Sequence, residues 1–515
     1  MADEPREIEL KFVLPAGRAE ALLAELPLLS ATPPRSLSAV YFDTPKRALR
    51  RAGLSLRVRA QDGGFVQTLK NGGDGTLARG EWETPLTSGE PALASLAKTP
   101  GGAVLRRHSH VQPQFTVEVR RRSASVAEGE SEIELSFDEG EAAGGGKQAP
   151  FAELELELKS GPTSGLFALA RKLASAGDLT LSFTTKAERG FSLVAPPRAR
   201  AKKFVVPRLS PKMSAGEAFR VVAYACLRQI AGNAERLRER AAPEVVHQLR
   251  VGLRRLRSLL TTFGPVVDDA RLPALKAELA WLTIELDAAR NLDVLLQGDY
   301  RAALREKENA DGLKGLGARL RGARRIAYAR AAAAVESERF RRLLLDVLTW
   351  IEIGAWTAEA AKGAEAREQP VLRFARKALS RRRRRIVRTG ADLAALEPPA
   401  RHRLRIAAKK MRYAADVFAG LFGRRPRARR FIDALKAVQD RLGELNDIVV
   451  GEALAHEVAA GGGWTGAVTA TDAEAEAAFT AGRITGAQKA RTAPLLKEAQ
   501  DAIDAFAQAK PFWPK

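Results

Sequence analysis

The sequence predicts an α+β chain in two parts: a strand-rich antiparallel domain that closes as a β-barrel, then an all-α domain built from a duplicated helical unit. Three observations predict this. Up to about Pro197, short runs alternate charged and apolar residues at period 2 between Gly-, Pro- and Asp-rich turns. From Ser214 the grain changes to Ala, Leu and Arg at helical period. Within that second part, one constellation of basic residues recurs 155 residues later. At 515 residues the chain is also too long for one ordinary core.

Charge divides the chain in the same place. The net charge is +23, yet residues 1–200 hold 26 Lys and Arg against 25 Asp and Glu, whereas the remainder holds 58 against 36. The surplus belongs to the second part and suits a polyanionic partner there. A single cysteine, Cys226, has no internal disulfide partner, which fits a reducing cytosol. The acidic N-terminus lacks the apolar run of a signal peptide, and no run of ~18 apolar residues predicts a membrane span. The expected location is therefore cytoplasmic.

In order along the first part, Glu7, Glu9 and Lys11 share one face of a strand and Ile8 and Leu10 the other. Arg57 and Arg59 share a face in Leu54–Arg59, and Thr68 and Lys70 in the next run. Glu81 and Glu83 flank Trp82. Thr116, Glu118 and Arg120 share a face, as do Glu132, Glu134 and Ser136. Glu153, Glu155 and Glu157 alternate with Leu154, Leu156 and Leu158. Turns follow from Asp62-Gly63-Gly64, Asn71-Gly72-Gly73 and Gly144-Gly145-Gly146. Any one such strand reads as an ordinary half-buried strand with a wet polar face. As a set, acidic strands and basic strands predict inward faces that form a tunnel with a carboxylate pole and a cationic pole. Carboxylates suit a hard cation such as Mg²⁺ or Mn²⁺, and Arg and Lys clamp phosphate oxygens.

The motifs Glu7-x-Glu9-x-Lys11, Tyr41-Phe42-Asp43-Thr44-Pro45, Leu54-x-Leu56-Arg57-x-Arg59, Thr68-x-Lys70, Glu153-x-Glu155-x-Glu157 and Thr185-Lys186-Ala187-x-Arg189-Gly190 resemble the CYTH domain of triphosphate tunnel metalloenzymes. The resemblance covers most of residues 1–200. It implies an eight-stranded antiparallel barrel acting on triphosphates. Members include inorganic, thiamine and RNA triphosphatases and class IV adenylate cyclases. By position it implies Glu7, Glu9, Glu155 and Glu157, with Glu153, as metal ligands. Lys11, Arg57, Arg59, Lys70, Arg120 and Lys186 would grip the triphosphate, joined by Arg79 and Arg189. Glu7, Glu9 and Lys11 would be catalytic. Thr185 stands where the family often has Ser and keeps the hydroxyl. The implied chemistry is in-line attack on a terminal phosphoryl group, without a protein nucleophile.

A linker over residues 201–213 is expected, introduced by Pro196-Pro197, Arg198 and Arg200, then Lys202, Lys203, Pro207 and Pro211. Ser214 with Glu217 reads as a capping box opening the first helix. His247, Arg250, Arg254 and Arg257 stand at offsets 0, 3, 7 and 10, and so do His402, Arg405, Lys409 and Arg412. Each set makes one helical stripe. Leu249, Val251, Leu253 and Leu256, or Leu404, Ile406 and Met411, lie on the opposite sides and are expected in the core. One such helix alone reads as a solvated basic face. Two copies point to a polyanion, because four stacked cations repel by about 0.2–0.5 kcal/mol per adjacent pair.

A second pair trails the stripes: Ala289-Arg290-Asn291-Leu292-Asp293 and Gly443-Glu444-Leu445-Asn446-Asp447. These repeats resemble the CHAD domain over residues 214–505, as two units of about 214–345 and 370–505. The resemblance implies two helical bundles facing each other and binding of inorganic polyphosphate. Asn291 departs from it, standing where Asp is common. The runs Arg381–Arg385 and Arg424–Arg430 are expected to be solvated positive surface.

The order CYTH then CHAD, with the closing Pro511-Phe512-Trp513, resembles the bacterial inorganic triphosphatases. The expectation is metal-dependent hydrolysis of tripolyphosphate to pyrophosphate and phosphate in the barrel. Polyphosphate would bind the helical domain, with an association to polyphosphate granules. Two alternatives stay open: a polyphosphate adaptor with a weakly active barrel, and a barrel acting on thiamine triphosphate or a nucleotide. Nucleic acid is disfavoured because aromatics are only 6% and the basic helices lack interleaved stacking residues.

Overall fold

The computed structural model describes residues 6–15, 17–61, 63–72, 77–108, 110–176, 178–195, 201–306, 310–459, 480 and 491–514. The expected boundary at Pro196–Arg200, the turn residues Asp62 and Gly73, and much of 460–490 in the second repeat lie outside the described residues. The chain forms two compact units, one of residues 1–202 with 338–354, the other of 203–337 with 355–515. Among the described residues, no helix is long and apolar enough to cross a membrane.

The first unit is built on β1 (Arg6–Val13), β2 (Arg35–Asp43), β3 (Leu54–Gln61), β4 (Gly64–Asn71), β5 (Ala78–Leu86), β6 (Gln112–Glu128), β7 (Ser131–Gly144), β8 (Lys147–Ser160) and β9 (Thr180–Leu181). Their order is β5-β4-β3-β2-β6-β7-β8-β1-β9, and β5 also pairs with β1. All pairings are antiparallel, so β1–β8 close into the expected eight-stranded barrel, with β9 lying alongside β1. Closure removes the sheet edges that an open sheet would leave unpaired. Phe42, Leu54, Leu56, Val58 and Leu69 face outward from one wall and are covered by Leu49, Leu96 and Leu105. This alternation is what turns Arg57 and Arg59 inward.

The Tyr41–Pro45 motif divides between two tasks. Tyr41 points into the barrel core. The buried Asp43 carboxylate accepts hydrogen bonds from the backbone N–H groups of Thr44, Leu49 and Arg50, and Thr44 Oγ1 accepts one from Ala48. Both cap the short helix Ala48–Arg51, whose amides would otherwise be unsatisfied.

Helices of nine or more residues among those described are numbered α1 to α11. In the first unit α1 (Thr163–Ala176) packs on β6, β7 and β8, and α2 (Lys186–Val194) packs on the same three strands. Thr185 caps α2 in a reciprocal capping box with Glu188. The first unit also takes α7 (Glu338–Ile353), whose sequence lies within the 214–505 stretch expected to form the helical domain. This helix packs on α1 and β9, with Arg171–Asp346 at 3.2 Å and Arg341–Asp178 at 2.9 Å.

The second unit contains α3 (Ala215–Glu239), α4 (Pro243–Thr262), α5 (Leu272–Gln297), α6 (Ala310–Glu336), α8 (Val371–Thr389), α9 (Pro398–Phe418), α10 (Arg425–Ala459) and α11 (Thr492–Gln508). Ser214 and Glu217 make the capping box expected at the start of α3. Phe219, Phe263, Phe374 and Phe418 stack at the centre of one core. Phe431, Phe506, Phe512 and Trp513 make another. Cys226 is buried on α3, and burial pushes its thiol up to about 12, so it stays an unreactive thiol.

Candidate active site and basic helical face

Residues directly opposed across an antiparallel pair point to the same side of the sheet. Starting from β1, Glu9 lies opposite Glu157, Lys11 opposite Glu155 and Val13 opposite Glu153. On β7, Glu134, Ser136 and Asp138 lie opposite Glu157, Glu155 and Glu153. Arg121 of β6 lies opposite Asp138. On the other side of β1, Glu7 lies opposite Arg79. Glu81 and Glu83 lie opposite Lys70 and Thr68, and Thr68 lies opposite Arg57. The inward faces of β1, β3, β4, β5, β7 and β8, with Arg121 of β6, thus bring these charges to one interior, while β2 contributes Ala39 and Tyr41.

The interior charges are heavily self-paired. Lys70 Nζ lies 2.7 Å from Glu7 and 3.1 Å from Glu81. Lys186 Nζ, at the start of α2, lies 2.5 Å from Glu153, 2.7 Å from Glu155 and 2.8 Å from Asp138. Arg121 grips both oxygens of Asp138, at 2.6 and 2.7 Å, and reaches Glu155 at 2.7 Å. Arg189 lies 3.7 Å from Glu153 and over the Phe151 ring. Lys159 pairs with Glu157 at 2.8 Å.

Protonation follows from this pairing. Burial, then Glu155 and Glu7, push the Glu9 carboxyl above the ordinary range. Burial works the same way on Glu155, but Lys186, Arg121 and Lys11 overcome it and hold that carboxyl well below the usual range. Burial lowers the Lys186 ammonium, yet Asp138, Glu153 and Glu155 carry it well above its ordinary value. Arg59 is depressed, by burial and then by Arg57.

Of the residues implied for the tunnel, Glu7, Glu9, Lys11, Arg57, Arg59, Lys70, Arg79, Glu153, Glu155, Glu157, Lys186 and Arg189 are brought to this interior or its α2 side. Arg120 is not: it points outward, 66% exposed, and pairs with Glu139 at 3.6 Å. Thr116 and Glu118 share that outer face, where Glu118 accepts a hydrogen bond from Ser38. The reason is that the inner face of β6 begins apolar. Phe115, Val117 and Val119 pack against Ala187 and Phe191 of α2, and the face becomes polar only at Arg121. Gly190 permits this contact, since a Cβ there would collide with the Phe115 ring. Asp138 also belongs to the interior and is absent from the sequence-predicted set, although it continues the alternation of Glu134 and Ser136 by one step.

Carboxylate oxygens of Asp138, Glu153 and Glu155 lie within 4.8 Å of one another. This is an all-oxygen donor set suited to a hard divalent ion. The Lys186 ammonium already holds a cationic position among these three groups. An ion held by these three carboxylates would stand where the Lys186 ammonium now sits.

In the helical unit, α4 and α9 pack together and bring the two stripes into one field. Arg250 feels Arg254, Arg290 and Arg405, and Lys409 feels Arg405, Arg254 and Arg250. Arg250 pairs with Asp287 at 2.6 Å, while Arg405 reaches Asp447 only at 3.5 Å. His402 bonds Asn446 through Nδ1, and Arg412 donates to Gln439 at 2.8 Å. Burial lowers Lys409 to about 7, with Arg405 and Arg254 adding to the effect. Burial and Arg290 lower His247 to about 4, so it is neutral near pH 7. The first stripe therefore holds three cations and a neutral imidazole rather than four cations. In the first repeat the carboxylate beside Arg250 comes from Asp287, one turn before Asn291. Asp293 is instead buried, accepting from Arg324 and Tyr328.

A family model of the CYTH domain matches residues 5–191, and one of the CHAD domain matches residues 222–456. A Haemophilus influenzae protein named inorganic triphosphatase is 33% identical over 30% of this chain and 46% of its own length. The chain thus spans about half of that relative. An uncharacterized Mycobacterium tuberculosis protein is 28% identical over 83% of each chain. The crystal structure of the CHAD domain from the plant Ricinus communis is similar, with 30% identity and a TM-score of 0.52 over 62% of this chain and 99% of that one.

Proposed function

From a chain that belongs to the CHAD family and has a CYTH domain ahead of its CHAD domain, we propose an inorganic triphosphatase whose helical unit binds inorganic polyphosphate. One observation supports the first half above all. Glu7, Glu9, Glu155 and Glu157 share an enclosed inner face with Arg57, Arg59 and Arg121. Tyr41, Phe115 and Phe191 fill one end of the interior, which leaves no slot for a base there and favours inorganic triphosphate over a nucleotide. The name of the Haemophilus influenzae relative agrees.

Asp138, Glu153 and Glu155, joined by Glu7, Glu9 and Glu157 as the CYTH resemblance implies, are the residues that would hold Mg²⁺ or Mn²⁺. Such an ion, when bound, offsets charge on the phosphoryl oxygens. Arg57, Arg59, Arg121 and Lys11 grip the remaining oxygens and hold the chain in line, and a carboxylate orients the attacking water. The water oxygen bonds the terminal phosphorus, the bridging P–O bond breaks, and pyrophosphate leaves. The 515-residue chain with Mg²⁺ or Mn²⁺ should release phosphate from tripolyphosphate and far less from pyrophosphate, ATP or thiamine triphosphate. Phosphate release mainly from ATP or thiamine triphosphate would assign the barrel another substrate. Inactivity on all four, with polyphosphate still bound, would favour the adaptor, a reading the self-paired tunnel charges also suit.

In the helical unit, polyphosphate beside Lys409 restores its ammonium toward the ordinary lysine range. Between the free value of about 7 and the raised bound value, the complex holds a proton that the free protein lacks. Affinity should therefore fall as pH rises from 7 to 9, and binding should take up a proton there. Titration calorimetry in buffers of different ionisation enthalpy would read this. Lys409→Arg should flatten the dependence; a wild-type profile already flat would remove Lys409 from the contact.

A further inference from the structure

We propose that the arginine run of α8 is a second phosphate-chain station, joined to the stripes through Arg257 and Lys410, so that the helical unit prefers long polyphosphate to short. This rests on the reading that the stripes bind polyphosphate.

The run is not a uniformly solvated face. Arg381, Arg384, Arg385 and Arg388 stand at offsets 0, 3, 4 and 7 and are exposed on one side of α8. Arg382 and Arg383 turn inward and fix the helix. Arg382 Nη2 donates to Thr262 Oγ1 at 2.6 Å, and Arg383 donates to the Ala507 carbonyl. Trp513 Nε1 donates to Ser380 Oγ at 2.8 Å, pinning the start of the run to the C-terminal segment. The exposed guanidinium groups are thus presented by a braced helix. Beside them is an open cavity of about 960 Å³, lined by residues 381–385 and 387–389 with Thr261.

These cations lack the counter-ions found elsewhere. Among the described residues, none of Arg381–Arg385, Arg388, Lys410, Arg257 or Lys276 forms an ion pair with a carboxylate. Arg250 and Arg405 in the stripes have Asp287 and Asp447. Burial lowers Arg382 to about 10, with Arg381 and Arg385 adding repulsion. Lys410 is lowered by burial, then by Arg382, Arg385, Arg257 and Lys276. Cations from α4, α5, α8 and α9 therefore repel one another in one neighbourhood. A polyanion would relieve all of them at once.

The occupant is read from the lining. No aromatic ring lines the cavity, so bases would find no stacking surface, and phosphate groups alone match the guanidinium forks. Continuity comes from the sequence: Arg257 is the fourth member of the first stripe, and Lys410 follows Lys409 of the second. One stripe is ~15 Å long at helical rise. A few phosphates fit within it, and only a longer chain also reaches Arg381–Arg388.

The test uses the 515-residue chain in chelating buffer, with long-chain polyphosphate and tripolyphosphate as probes. R381Q/R384Q/R385Q/R388Q should weaken long-chain binding roughly tenfold and lower its log-affinity-against-log-salt slope by about 0.7 for each guanidinium that had faced a phosphate. Tripolyphosphate binding should not change. Its melting temperature without ligand should hold or rise, because four mutually repelling charges are gone. R250E/R405E serves as the comparison that disrupts the stripes. If R250E/R405E weakens long-chain binding and the glutamine variant does not, the second station is refuted and the stripes stand. Equal losses for both probes would also refute length selection. Wild-type protein that binds no long chain would overturn both readings.

Discussion

Glu9→Gln should reduce tripolyphosphate turnover about a thousandfold while the protein melts at the same or a higher temperature. The side chain keeps its shape and loses its charge. In the folded protein that charge is crowded: burial, Glu155 and Glu7 all disfavour it. Removing it relieves repulsion, so stability is not sacrificed. On the proposed function turnover suffers, because a carboxylate donor for the metal becomes a neutral amide. A gain in stability coupled to a loss of function is the signature of strain kept for chemistry. Two companion variants locate the phosphate grip. Arg121→Ala should lower turnover strongly, because its guanidinium lies on the inner face against Asp138 and Glu155. Arg120→Ala should leave turnover intact, because its side chain lies outside against Glu139. Phosphate-release assays and thermal melts on the three variants check the set. Normal turnover by Glu9→Gln would remove the tunnel from the catalytic account.

Lys186→Met should be the most destabilising single change in the barrel, at about 3–5 kcal/mol near neutral pH. One ammonium pairs with Asp138, Glu153 and Glu155 at once, and two of those groups, Asp138 and Glu153, are fully buried. Taking it away leaves three carboxylates facing each other, with Arg121 reaching Asp138 and Glu155, and Arg189 reaching Glu153 at longer range. The sign with pH follows from the carboxylates. In the wild type burial raises the Glu155 carboxyl, but Lys186, Arg121 and Lys11 overcome it and hold that group well below the usual range, which adds stability above the unfolded carboxyl range and loses it in acid. Taking Lys186 away removes the largest of those three influences, so the variant's deficit relative to the wild type should be greatest near neutral pH and shrink on acidification through the carboxyl range. Mg²⁺ or Mn²⁺ should rescue the variant's melting temperature more than the wild type's, since the vacated cluster can take the ion. Chemical denaturation at several pH values, with and without metal, reads all of this. A variant as stable as wild type at pH 7 would show that the three carboxylates do not need their ammonium.

Much of the barrel was legible because period 2 ties each side chain to a face. Glu7, Glu9, Lys11, Arg57, Arg59 and Glu153–Glu157 all obey it, and register then carries them to one interior. The rule failed at β6 for a physical reason. It assumes that the polar face is the inner face, and there the inner face starts with Phe115, Val117 and Val119 because α2 fills that end. Nothing in three consecutive arginines says which of them turns inward. The helical stripes were visible from their spacing, but their charge was not. His247 counts as a cation by residue type and is neutral in place, because burial and Arg290 act on it from another helix. Asp287 was hidden for the same reason: its pairing with Arg250 joins two helices and leaves no local motif.

The chain's route between its units has a further consequence. Helix α7 is encoded within the 214–505 stretch expected to form the helical domain, yet it packs on α1 and β9 of the barrel unit. A scission near residue 200 would therefore not deliver two self-sufficient proteins. One fragment would be a barrel missing Asp346, the partner of Arg171, and Arg341, one of the two partners of Asp178, and the other would carry Phe340, Leu344 and Trp350 away from α1 and β9. Gene fusion, truncation or swapping of halves has to respect that loan of one helix.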